Sequence, residues 1–292
     1  MSLLSVISLG LLASQASACP GLAKRQSVNQ TIVREERDWA YEASYDWGRL
    51  RPEYELCQTG TQQSPIPLRL DQGLSRNHIP HFDYPTDVTG DFYNWGFGPA
   101  MALSHPEDDW TTLPSMTFDE DSVNETVYLA SWHIHAPADH TVAADRSKAE
   151  MHFVHVDADG HERVVLAFRV DPGNAPSTFF SNVPEYTTFN DTTQRSIDGI
   201  NVNQALNEVQ MFNDFWTVSK TLVVCLRDLL TAILTIVQYR GSLTSPPCRE
   251  GMRWYLARQI LFVSDTQMQD ILRVCTYSAR AEQEVWGHQI NQ

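Results

Sequence analysis

Positive charge is what this sequence has least of: 21 lysines and arginines stand against 36 acidic residues, a formal net charge of −15. That balance argues against nucleic acid or an anionic membrane surface as a partner and favours solubility. Cysteine is also sparse, five in 292 residues and an odd number, so intramolecular disulfides leave at least one unpaired. Between Pro65 and Leu129 there is no heptad pattern, internal repeat or long amphipathic helix. Short apolar runs, such as those starting at Met101 and Val127, are broken by Gly, Pro, Asp and Asn clusters about every ten residues, which reads as many short strands. With 42% hydrophobic residues the chain buries a large core, and a single β-rich domain accommodates this length.

The chain begins with an apolar run over residues 1–18 that lacks a basic start and ends in Ala16-Ser17-Ala18. It reads as a signal peptide cut after Ala18 and is too short to span a bilayer. Lys24-Arg25 reads either as a dibasic processing site, which makes 19–25 a propeptide and starts the domain at Gln26, or as a solvated charge pair. Asn29, Asn124 and Asn190 each open an Asn-x-Thr glycosylation pattern, which fits a secreted, extracellular chain.

The chemistry concentrates between Leu129 and Val156. His133 and His135 stand two apart in a strand-like run, and the two-residue period of a strand puts both imidazoles on one face. The run from Ala149 to Val156 carries His152 and His155 after a polar, turn-prone segment, which suits an antiparallel return. Three imidazoles then converge, and three nitrogen ligands with an open fourth position are what a catalytic zinc needs. The plainer reading is of half-buried core histidines bonded to backbone; the paired His-x-His and Glu-x-His patterns favour the metal.

The words Trp132-His-Ile-His135, Asp139-His-Thr-Val142, Ala149-Glu-Met-His-Phe-Val-His155, Gln62-Gln-Ser-Pro-Ile66 and Tyr239-Arg-Gly-Ser-Leu-Thr-Ser-Pro-Pro-Cys248 together resemble the alpha-class carbonic anhydrases. The likeness runs from about Trp39 to Ile290. It implies a mainly β (α+β) fold, one domain around a large, mostly antiparallel twisted sheet with short peripheral helices. It also implies reversible hydration of carbon dioxide to bicarbonate by zinc on His133, His135 and His152. In this enzyme class the metal lowers the pKa of its water to about 7. The resemblance gives Glu150 as the acceptor holding His152, and places Ser131, where the family usually has Gln, behind His133. Thr244 orients the reactive water and donates to Asp139, where the family usually has Glu. Tyr239 lies behind the ligands, Leu243, Val154, Val165 and Trp254 form the apolar wall, and Tyr41 lines the floor. His140 and His155 are structural, Phe97 stands where fast members carry a proton-relaying histidine, and Cys57 pairs with Cys248. Cys19, Cys225 and Cys275 stay unassigned. Two other readings share the pattern: a carbonic anhydrase-like binding domain without catalysis, and a zinc hydrolase acting on esters.

One segment departs from the resemblance. Phe215-Trp216-Thr217 should continue directly into Tyr239, yet residues 218–238 intervene. Val218 and Gln238 allow GT and AG at the ends of an in-frame stretch, so the segment reads as a retained intron in preference to a real insertion. Arg227 and Asp228 near the middle of its apolar run argue against a membrane span.

Overall fold

The computed structural model describes residues 37–69, 80–107, 109–120, 123–210 and 236–290. The expected signal peptide and propeptide, Cys19, Asn29, Cys225 and residues 218–235 lie outside the described residues.

Eleven strands make one mixed sheet. They are β1 (His81–Asp83), β2 (Val88–Asn94), β3 (Pro99–Leu103), β4 (Ser115–Glu120), β5 (Val123–His135) and β6 (Ala149–Val156). The remainder are β7 (Glu162–Pro172), β8 (Arg195–Ile200), β9 (Ile236–Ser242), β10 (Glu250–Ala257) and β11 (Leu261–Val263). The spatial order is β8-β2-β3-β5-β6-β7-β10-β9, with β4 beside β5, β1 beside β4 and β11 beside β7. Pairing is antiparallel except where β10 and β11 run parallel to β7. The helices are short and peripheral: α1 (Leu56–Thr59), α2 (Thr178–Asn182), α3 (Asn203–Gln210) and α4 (Asp265–Val274). None of the described helices is long and apolar enough to cross a membrane.

The central strands are buried on both faces, which explains why they read as near-continuous apolar runs. On β5, Trp132 and Ile134 enter the main core with Met151, Phe153, Leu166 and Phe168, under Phe179, Leu206 and Met268 of α2, α3 and α4. Strand alternation therefore turns Ser131, His133 and His135 to the opposite face. There the covering layer is an irregular lid of 3-10 turns and α1, in which Tyr41, Trp47 and Tyr54 pack with Trp95 and the disulfide. Cys57 and Cys248, 191 residues apart, are bonded and tie the loop after β9 to this lid. Cys275 is a half-buried free thiol, pushed up to about 12 by burial. Asn124 and Asn190 are exposed, as glycosylation requires.

β9 starts inside the intervening segment. Ile236, Val237 and Gln238 pair with Ala257, Leu256 and Tyr255, and Tyr239 continues opposite Trp254. The boundary expected between Gln238 and Tyr239 is thus not a structural one.

Candidate active site

β5 and β6 are registered so that His133 lies directly opposite His152, and His135 opposite Glu150. One ring nitrogen from each of His133, His135 and His152 lies within 4.8 Å of the other two. Nδ1 of His135 donates to the Ser278 carbonyl at 2.6 Å, and Nε2 of His152 donates to Glu150 Oε1 at 2.7 Å. A carbonyl and a carboxylate only accept, so these bonds fix both tautomers and leave Nε2 of His135 and Nδ1 of His152 as lone pairs. Nε2 of His133 lies 3.0 Å from Nε2 of His135. Burial holds the His133 imidazole well below the usual range, with the neighbouring His135 and His152 acting the same way; burial likewise lowers His135. Three buried imidazoles converging on one corner are a donor set for a divalent cation of intermediate softness, so the residues fit zinc.

Behind the triad, Glu150 binds two histidines. Its Oε1 is 2.7 Å from Nδ1 of His140 and its Oε2 accepts from the His140 amide at 3.0 Å. Although burial disfavours its charge, His140 and His152 hold Glu150 well below the usual carboxylate range. Tyr239 Oη lies 2.8 Å from Nε2 of His140 and 2.9 Å from Ser64 Oγ, which links it to Glu150 through His140. His155, as expected, is a buried structural residue: its Nε2 lies 2.5 Å from Tyr84 Oη.

Two expected bonds are not formed. Ser131 Oγ and His133 Nδ1 are both buried and without a hydrogen-bond partner, because the serine side chain is too short to replace a glutamine there. Asp139 does not meet Thr244 either. Its Oδ1 accepts from the Arg280 amide at 2.8 Å, and its Oδ2, 3.6 Å from Nδ1 of His135, has no partner. One methylene less leaves the carboxylate with the tail backbone and out of reach of the threonine hydroxyl.

Thr244, Leu243, Val154, Val165, Trp254 and Tyr41 all line the small cavity over the triad, together with Trp95 and Ser245. Trp254 is fixed by its indole N–H donating to the Ser242 carbonyl at 2.9 Å. Phe97 does not line this cavity; it packs among Trp39, Tyr41 and Trp95. Trp95, Ser245 and Ser278 were not singled out from the sequence. Trp95, two residues before Phe97, reads as one more packed aromatic, and Ser278 acts through a backbone carbonyl that no side-chain pattern reports.

The eukaryotic-type carbonic anhydrase family matches residues 42–290. A carbonic anhydrase of Pectobacterium carotovorum is 31% identical over 221 residues, covering 74% of each chain. Another, from Pectobacterium atrosepticum, is 29% identical over 248 residues, 83% of this chain and 82% of the relative. Among solved structures, the alpha-carbonic anhydrase of Thermovibrio ammonificans in complex with the inhibitor sulfanilamide shares the fold, with TM-score 0.60 and 23% identity over 85% of this chain and 94% of that one. The chain belongs to the eukaryotic-type carbonic anhydrase family, enzymes that hydrate carbon dioxide.

Proposed function

We propose that this chain hydrates carbon dioxide reversibly with a zinc ion held by His133, His135 and His152. The observation that carries this reading is the tautomer arrangement: one nitrogen of His135 and one of His152 are bonded to Ser278 and Glu150, while a ring nitrogen of each of His133, His135 and His152 lies within 4.8 Å of the other two. A zinc ion bound there supplies Lewis acidity that makes a water acidic near neutral pH. The apolar faces of Val154, Val165, Leu243 and Trp254 accept carbon dioxide and keep bulk water from it. Thr244 offers a hydroxyl to orient the reacting water, and Asp139 holds the tail through the Arg280 amide. The apolar run over residues 1–18, the exposed Asn124 and Asn190, and the Cys57–Cys248 bridge support a secreted, glycosylated protein, since such bridges persist in oxidising compartments.

A second reading, a binding domain without catalysis, is favoured by the missing Thr244–Asp139 bond and the unpartnered Ser131 and His133. Zinc stoichiometry and a carbon dioxide hydration assay separate the two. The catalytic reading requires about one zinc per chain and hydration that the His135→Ala variant loses together with most of its metal. Full zinc occupancy in that variant overturns the ligand set; zinc without hydration in the unmutated protein selects the binding domain.

A further inference from the structure

The triad is roofed as well as walled. The Trp95 indole lies 5.2 Å, centre to centre, from the rings of both His133 and His135. The cavity left over the triad is narrow, about 10 Å3, and Trp95 is one of the residues that line it. His133, His135 and His152 are at most 4% exposed, so the indole takes up part of the little space beside them.

The roof is held on several sides. The indole N–H donates to the Ile134 carbonyl at 3.2 Å, between the two ligand histidines in sequence. Phe97 packs against it at 4.8 Å and Tyr41 meets it edge-on at 6.4 Å. Arg37 closes the outside: its guanidinium lies 5.4 Å from the Trp95 ring and 4.8 Å from Phe97, and it donates to the Trp95 carbonyl at 3.0 Å. An aromatic ring anchored by its own N–H, its carbonyl, two neighbouring rings and a cation is a fixed wall and has no free rotamer to swing aside.

From this geometry we infer that Trp95 is the specificity-determining residue of the site, limiting ligands at the triad to a few atoms and excluding those that carry a ring. The inference rests on the catalytic reading above. The apolar wall of Val154, Val165, Leu243 and Trp254 offers a ring good contact, so composition alone would admit one. Exclusion follows from the indole standing over His133 and His135, and the residue acts through the space it takes up.

The test compares two anions that both ligate zinc: azide, of three atoms, and benzenesulfonamide, which brings a ring. Their affinities are measured by calorimetry on the zinc-loaded protein, on Trp95→Asn and on Trp95→Phe, with the azide affinity of each variant correcting for any change at the metal. The ratio of sulfonamide to azide affinity should rise at least about tenfold in Trp95→Asn, with Trp95→Phe between. Arg37→Ala, which frees the outer side of the roof, should move the ratio the same way by less. An unchanged ratio in zinc-loaded Trp95→Asn and Trp95→Phe overturns the role of Trp95 and leaves the catalytic reading standing. Absence of zinc from the unmutated protein overturns both.

Discussion

Ser131 and His133 sit two apart on the same face of β5, and the hydroxyl of one and the Nδ1 of the other are each buried without a hydrogen-bond partner. Histidines that bind metals are normally held by an acceptor on their second nitrogen. His135 has the Ser278 carbonyl and His152 has Glu150, so His133 is the one ligand whose second nitrogen meets no acceptor. Replacing Ser131 by Gln supplies the acceptor. Zinc affinity of Ser131→Gln, measured by competition with a chelator, should rise about tenfold. Equal or weaker affinity would show that the ring is already positioned.

A second prediction concerns acid stability. Burial lowers the pKa of His155 to about 3, whereas in an unfolded chain it is about 6.5. As pH falls below about 6.5 the unfolded chain takes up a proton that the folded chain refuses. His155 therefore destabilises the fold increasingly down to about pH 3, by up to about 1.4 kcal/mol per pH unit. Urea unfolding at several pH values should show this slope, and His155→Gln, which keeps an acceptor for Tyr84, should reduce it by about one proton. The same slope in both proteins would mean that other groups set the acid limit.

The site was largely legible because its geometry is local. Trp132 and Ile134 are apolar and His133 and His135 are not, so strand alternation alone separates core from site, and β6 repeats the device with Met151 and Phe153 against Glu150 and His152. What stayed hidden depends on backbone atoms and side-chain length. The Ser278 carbonyl and the Arg280 amide come from the tail, more than a hundred residues away, and a peptide group has no sequence signature. That amide meets Asp139 Oδ1, and the threonine bond implied by resemblance is missing. The roof was hidden because an aromatic residue near other aromatic residues reads as packing, and Trp95 also packs. In the sheet, the parallel placement of β10 and β11 on β7 depends on long connections that a strand-by-strand reading does not fix.

Residues 218–238 give a third prediction. Joining Thr217 to Tyr239 moves Phe215, Trp216 and Thr217 into the register places now held by Ile236, Val237 and Gln238, opposite Ala257, Leu256 and Tyr255. β9 then keeps its length, with an aromatic pair in place of two β-branched residues. RNA reads across these codons should skip the segment, and the shortened chain should fold with stability at least equal to that of the longer one. Continuous unspliced reads would remove the retained-intron proposal.

The last prediction follows the proton. Every hydration of carbon dioxide releases one proton from the cavity, and a histidine near its unperturbed pKa of about 6.5 is the side chain best matched to carry it at neutral pH. Among the described residues, the histidines lining the cavity are His133, His135 and His152, all committed to the metal in the catalytic reading. Phe97 has no titratable group, and its ring is packed against Trp39, Tyr41 and Trp95. Proton export then falls to the solvent, and turnover should rise with the concentration of a small buffer such as imidazole while remaining low without it. Phe97→His should raise the buffer-free rate, and more so together with Trp95→Asn, because Trp95 rather than Phe97 lines the cavity. Turnover in weak buffer that already equals turnover in strong buffer would mean that another group of this chain carries the proton.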